Sequence, residues 1–309
     1  MNRVSSNGNY SAVLANIQAA QQRQMEAGAR VATQKQGTDL KGYARNAEML
    51  TAMKSIDARI GGYLEQSKLI TDKLTTQDFA LNQITSSADG TRETIAQALA
   101  SGRADTLMQD IGGFFRNAVD GMNARYGGKY VFAGGQIDTL PVSATALGDL
   151  TDPSKTIPDF FHNDEFLTEA KVDDSTTVRT GLLADSLGTD LLTAFKDVQA
   201  FQEGSDGPFQ GNLTDPQRAY LEGVLATWDS VHKNLVNDTA KNGMVQTRVE
   251  SVKSDLNSRQ ISLAGMMGDI TDADPAEAAT ALQQAGVAVQ AAAQVFLSLQ
   301  NSSLLNVLR

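Results

Sequence analysis

The 309-residue chain contains no cysteine, which excludes disulfide frameworks, thiolate zinc sites and cysteine catalysis together. Its two histidines, His162 and His232, lie 70 residues apart, so no histidine-rich metal site is expected. Tryptophan occurs once, at Trp228, and aromatic residues make up only 6%. No run of eighteen apolar residues is present, so no membrane-spanning helix is expected. No apolar stretch follows Met1 to Gly8, and no ordinary cleaved signal peptide is expected. Phosphate-binding glycine loops are missing too. The pairs Gly112-Gly113, Gly127-Gly128 and Gly134-Gly135 fit neither G-x-x-x-x-G-K-S/T nor a post-strand G-x-G-x-x-G.

Carboxylates are plentiful, but their spacing carries no metal loop. Asp173-Asp174 and Asp272/Asp274 lack the D-x-D/N-x-D/N-G pattern with a following Glu. Asp272 and Asp274 precede Pro275-Ala276-Glu277 and read as N-terminal capping of a final helix. No metal, cofactor or catalytic residue is assigned, and an enzyme is not expected.

Proline divides the chain. All six prolines lie at 141, 153, 158, 208, 216 and 275, leaving 1–140 and 217–274 without any. That suits long helices, since an interior proline costs about 3 kcal/mol. Charge divides it at nearly the same places. Residues 138–216 hold 15 Asp/Glu against 4 Lys/Arg, a net of −11, while the remainder holds 21 against 22, a net of +1. An acidic middle argues against a nucleic-acid binder, which needs a basic footprint. Thr176-Thr177-Val178, Phe160-Phe161 and Asp/Gly/Pro punctuation predict short strands and turns there.

The flanking arms carry sustained 3-4 spacing. From Met53 through Ile60, Ser67, Leu74, Leu81, Ile84, Ala88 and Ile95 to Ala98, eleven of fourteen seam positions are apolar. From Leu221 through Trp228, Leu235, Val245, Val249 and Leu256 to Ile270, twelve of fifteen are. Such repeats mark coiled-coil or elongated-bundle helices, and about fifty residues at 1.5 Å each make a rod of roughly 75 Å. A third helix is predicted over 103–126, with Gly127-Gly128 as its C-cap. Asp238 and Asn242 interrupt the second seam; they set its register, mark a bend beside Gly243 or face water.

The expected fold is mainly α: an elongated, antiparallel, coiled-coil-like bundle of both chain arms with an inserted α+β or β module. Its divisions are an N-terminal helix over 1–45, long helices over 46–137 and 217–274, the acidic module over 138–216, and a C-terminal helix over 275–309.

Both ends are short of charge. Residues 4–22 contain no charged side chain, and residues 278–308 contain none either, a stretch of thirty-one. A surface helix ordinarily has a charged outer face. Here Gln, Asn, Ser and Ala stand in its place. Either the two ends pair with each other inside one monomer, or both are buried among neighbouring copies in an assembly. The second reading explains the charge-free outer faces. It makes Tyr10, Val13, Leu14, Ile17, Leu282, Val289, Phe296, Leu299, Leu304, Leu305 and Leu308 the candidate assembly interface.

The run Asp272-Ala273-Asp274-Pro275-Ala276-Glu277-Ala278-Ala279-Thr280, together with Ser302-Ser303-Leu304-Leu305-Asn306-Val307-Leu308-Arg309, resembles the ending of the bacterial flagellin superfamily. The resemblance covers roughly 1–135 and 217–309. The segment Tyr130-Val131-Phe132-Ala133-Gly134-Gly135-Gln136-Ile137-Asp138-Thr139-Leu140-Pro141 is similar to a strand of the hook–filament junction branch, although Val142 replaces a commoner aromatic. Residues 26–35 depart from the family pattern, so a reorganised turn is expected there. The resemblance implies a structural, self-assembling protein of the flagellum, secreted through the type III exporter with a dedicated chaperone. It further implies contacts with flagellin and the first hook-associated protein, no nucleic acid and no membrane insertion. A filament flagellin and a type III needle-tip or translocator-like rod are the alternatives.

Overall fold

The structure is a computed structural model that describes residues 3–37, 39–43 and 45–305, and their side chains except at 3–10, 41 and 301–305. Among the described residues six α-helices carry the fold: α1 (Arg3–Thr33), α2 (Ala47–Ser101), α3 (Leu107–Met122), α4 (Ala184–Glu203), α5 (Asp215–Thr271) and α6 (Pro275–Leu305). Two small antiparallel hairpins join them, β1 (Arg125–Tyr126) with β2 (Lys129–Tyr130), and β3 (Glu169–Lys171) with β4 (Thr177–Arg179). The chain forms two compact units: a central one of residues 60–257, and a terminal one of 1–59 and 258–309.

In the central unit, α2 and α5 run antiparallel along the two predicted seams. From Ile60 the α2 seam is buried at nearly every position: Leu81, Ile84, Ala88 and Ile95 are fully enclosed, as are Leu221, Trp228, Val249 and Leu256 on α5. Polar contacts fix the antiparallel sense, because Thr71 meets Glu250 at 3.4 Å, Thr85 meets Thr239 at 3.4 Å and Arg92 meets Asp229 at 3.6 Å. Asn242 is buried and donates from Nδ2 to the Leu74 carbonyl at 3.2 Å, while Gln246 Nε2 reaches the same oxygen at 3.0 Å. The helix continues unbroken through Gly243. Asn242 is therefore a register contact inside the seam, neither a bend nor a solvated residue. Asp238 is different: it turns aside and pairs with Lys241 at 2.8 Å.

Two local expectations need correction. The third helix ends at Met122, capped by Asn123, and not at 126. Gly127 and Gly128, at φ +57° and +81°, are the two-residue turn of the β1–β2 hairpin, a backbone that tight hairpins require and glycine supplies. The acidic segment holds the predicted strand at Thr177–Arg179 together with a 20-residue helix, α4, that strand-and-turn reasoning did not anticipate. Helix α4 buries Leu191, Leu192, Phe195 and Val198 while exposing Asp190 and Asp197. Its Phe195 ring stands edge-on to Phe115 of α3 at 5.4 Å and to Trp228 of α5 at 4.9 Å, so three helices share one aromatic centre. Phe160, in the short 3-10 turn Ile157–Phe160, belongs to the same core.

The segment from Tyr130 to Pro141 lies against this core. Phe132 is fully buried, and its carbonyl accepts the Ala184 N–H at 3.0 Å where α4 begins. Asp164 takes hydrogen bonds from the Gly135 and Phe166 N–H groups at 2.7 and 3.0 Å, which hold its carboxyl below the usual carboxylate range. Buried Gln77 of α2 donates to the Thr180 carbonyl at 3.0 Å, attaching the end of the β3–β4 hairpin to the long helix.

Candidate assembly surface

In the terminal unit, α1 and α6 pack against each other in antiparallel fashion. The approach is close because the facing residues are small. Leu282 Cδ1 lies 3.9 Å from where a Cβ on Gly28 would stand, and Gln24 Nε2 lies 3.8 Å from the corresponding point on Gly286. Among the described side chains of the two helices, the buried apolar ones are Ala20, Ala27 and Ala278. Each alanine encloses little area, so this contact is worth far less than the leucine and isoleucine seams of α2 and α5.

A clasp closes one end of the pair. Gln34, at φ +56°, turns the chain out of α1. Lys35 then bridges Asp272, with the Gln36 N–H on the Thr271 carbonyl at 2.8 Å and the Ala273 N–H on the Gln34 carbonyl at 2.9 Å. The Lys35 ammonium donates to the Asp272 carboxylate and to Thr271 Oγ1 at 3.2 Å. The Lys35 hydrogen bond, followed by that of Thr271, holds the Asp272 carboxyl below its ordinary range. Asp274 performs the capping expected of the acidic pair, accepting the Ala276 and Glu277 N–H groups at 2.7 and 3.3 Å ahead of Pro275. Asp272 does not cap; it serves the clasp. Residues 26–33, where a reorganised turn is expected, continue α1 as helix.

Of the eleven candidate interface residues, Val13, Ile17, Leu282, Val289, Phe296 and Leu299 are half-buried. Leu14 is 51% exposed. Tyr10, Leu304 and Leu305 lie on the helices where side chains are outside the description, and Leu308 lies outside the described residues. The heptad positions thus select mainly the side of each helix turned toward its partner in the same chain. The opposite sides carry apolar residues that the heptad lines pass over. Met25 is 68% exposed on α1; Val287, Val295 and Leu297 are 61%, 51% and 56% exposed on α6. For the three on α6 the signal in the sequence is the missing charge around them. Val287, Val295 and Leu297 lie inside the thirty-one-residue charge-free run, so no acidic or basic side chain of α6 shields them.

Among the described residues no three His, Asp or Glu side chains are grouped to hold a metal ion, and no helix is long and apolar enough to cross a membrane. A groove of about 590 Å³ runs between α1 and the 35–42 segment, bordered by Met25, Ala29, Arg30 and Gln36.

Residues 225–308 match the family described as the bacterial flagellin C-terminal helical region, which takes in most of α5 and all of α6. No curated protein matches the chain by sequence. Solved structures do match in fold. One, described as a flagellar hook-associated protein from Vibrio parahaemolyticus, is 12% identical with a TM-score of 0.58, covering 73% of this chain and 97% of its own. Another, Bacillus cereus FlgL, is 16% identical with a TM-score of 0.53, covering 71% of this chain and 99% of its own. The mainly helical architecture with small antiparallel sheets is one this chain has in common with them.

Proposed function

We propose that the chain is a structural protein of the bacterial flagellum, the adaptor at the junction between hook and filament. The observation that carries this reading is the near-complete coverage, 97% and 99%, of two structures described as a hook-associated protein and FlgL. The flagellin-type C-terminal region over 225–308 supports the wider flagellar assignment, and the Tyr130–Pro141 segment favours the junction branch. The work is mechanical and needs no catalytic group.

In this reading the charge-poor helices of 1–45 and 275–309 are the assembly elements, the long helices of 46–137 and 217–274 form the body, and the acidic 138–216 segment adds α4 and Phe160 to its core while turning most of its carboxylates to solvent. Copies associate through the terminal unit. The apolar outer sides of α1 and α6, with Met25, Val287, Val295 and Leu297, are exposed in one chain and become enclosed by others. Flagellin and the first hook-associated protein are the further partners, and an export chaperone accompanies the secreted chain.

Immunogold labelling of intact flagella tests the assignment. A single band at the hook–filament boundary is expected. Labelling along the filament would instead make the protein a filament flagellin, and unlabelled flagella would remove the flagellar reading.

A further inference from the structure

Asparagine is followed directly by glycine at two places in the sequence, Asn7-Gly8 and Asn242-Gly243. The pair has a chemistry of its own. In a freely moving chain the backbone nitrogen after an asparagine reaches back to the side-chain amide carbon. Glycine, with no Cβ and a wide choice of backbone angles, leaves that approach open. The Asn7 side chain is outside the description, so the surroundings of Asn242 carry the argument.

Asn242 stands in the seam between α2 and α5, 3% exposed, with Nδ2 donating to the Leu74 carbonyl at 3.2 Å. Gln246 donates to the same oxygen at 3.0 Å. Gly243 lies inside the 57-residue helix α5, so its N–H is directed along the helix to the Thr239 carbonyl. Two restraints therefore act on one reaction. The nitrogen that would attack is held in a helical hydrogen bond, and the amide it would attack is fastened to α2. Packing gives no reason for the glycine: a Cβ there would meet nothing within 4 Å, and alanine would strengthen the helix.

We propose that Asn242-Gly243 is a modification site that folding closes: a chain left unfolded loses the Asn242 amide, and a folded chain keeps it. The Gly243 nitrogen gives up its proton and bonds to Asn242 Cγ. The Cγ–Nδ2 bond breaks, and the amide nitrogen leaves with that proton as ammonia. Water then opens the five-membered imide at either carbonyl. The product is aspartate at 242, or an isoaspartate whose main chain runs through Cβ and Cγ. One amide and one water become one carboxylic acid and one ammonia, with no oxidation or reduction. Either product damages the seam. A carboxylate has no N–H for the Leu74 carbonyl and sets acceptor against acceptor in a buried place. An isoaspartate adds a backbone atom in mid-helix and spoils the spacing of the hydrogen bonds that cross it. The register contact thus doubles as a record of time spent unfolded, whatever the function of the chain.

The test ages the full chain in mildly alkaline buffer, one sample folded and one held unfolded in guanidinium chloride. Trypsin, cutting after Lys241 and Arg248, releases residues 242–248, and mass spectrometry reads the change from amide to acid. Conversion in the folded sample should be at least about a hundredfold slower, because opening of a buried core helix is rare. Gly243→Ala should keep or raise the denaturation midpoint and lose most of the conversion in the unfolded sample. Wild type aged unfolded and returned to native buffer should contain a population with a lowered midpoint, as fresh Asn242→Asp should show. Gly243→Ala aged in the same way should not. Equal conversion in folded and unfolded samples, unfolded conversion indifferent to Gly243→Ala, or a converted chain that refolds to the original midpoint overturns the proposal.

Discussion

Leu297→Asp separates a contact between chains from a contact within one. Leu297 is 56% exposed on α6, within the stretch of sequence from 278 to 308 that has no charged residue. Burying a whole leucine is worth about 1.5–3 kcal/mol, so enclosing the exposed half by a neighbour contributes about 1–1.5 kcal/mol per copy. An aspartate there forfeits that gain and adds the desolvation of an unpaired carboxylate, an effective penalty of several kcal/mol. Both effects fall on the assembled state. The free monomer keeps the side chain in water, where a surface substitution ordinarily changes stability by no more than about 0.5 kcal/mol. Assembly should therefore weaken by at least about tenfold while the melting temperature stays within about 2 °C of wild type. Leu282→Asp is the contrasting variant, because Leu282 is half-buried and its Cδ1 lies 3.9 Å from the Cβ position of Gly28. It should reduce the helicity of the terminal unit before any assembly occurs. Circular dichroism melts beside an assembly assay read both variants. Normal assembly of Leu297→Asp, or a melting loss equal to that of Leu282→Asp, would refute the division of α6 into an inner side and an outer side.

Asn242→Ala leaves the seam without its buried amide and is expected to cost about 1–3 kcal/mol, seen as a lower denaturation midpoint. Phe195→Ala opens the aromatic centre shared by α3, α4 and α5 and should cost about 3–5 kcal/mol; the single buried Trp228, 4.9 Å from that ring, reports it by fluorescence during urea unfolding. The Lys35–Asp272 clasp should be acid-sensitive. Asp272 has a folded pKa depressed below its unfolded value, so its contribution is present above about pH 4 and is lost as pH falls through the folded value. Lys35→Met should remove that part of the pH dependence, measured as protection of the Gln36 and Ala273 amides; a profile identical to wild type would count against the clasp.

The long seams were legible because burial along them is periodic and uninterrupted. Ile60 to Ala98 and Leu221 to Leu263 alternate as an antiparallel pair of helices demands, and the buried positions are largely those the 3-4 count selects. Helix α4 was present in the sequence as well: Leu187, Leu191, Phe195 and Val198 keep helical spacing, and no proline occurs between Pro158 and Pro208. Nearby strand-forming residues and the acidic composition obscured it, since net charge describes the solvated side and not the buried one. Gly127-Gly128 misled for a chemical reason. A helix C-cap and a tight hairpin both use glycine at positive φ, and only the pairing of Arg125 with Tyr130 distinguishes them. The surface of the terminal unit was half legible. Heptads find the positions where α1 and α6 meet, but the outward residues Val287, Val295 and Leu297 follow no repeat and are marked only by the lack of charge beside them, and Met25, between Arg23 and Glu26, carries no such mark.

The clasp joins residues 237 positions apart in the chain. Every contact between α1 and α6 spans a comparable separation, so the two helices have no local route to each other. Closing a flexible loop costs more as it lengthens, and three alanines enclosed between two helices return little against that cost. The central unit draws on large apolar side chains and on shorter separations, among them the step from α2 to α3. Order in time follows from this inequality. The interior of the sequence must fold first, shortening the effective loop between the two ends, and only then can α1 find α6. A chain threaded end-first through a narrow passage would keep its leading helix unpaired until its last residues emerged, and pairing would await the far end of the same molecule.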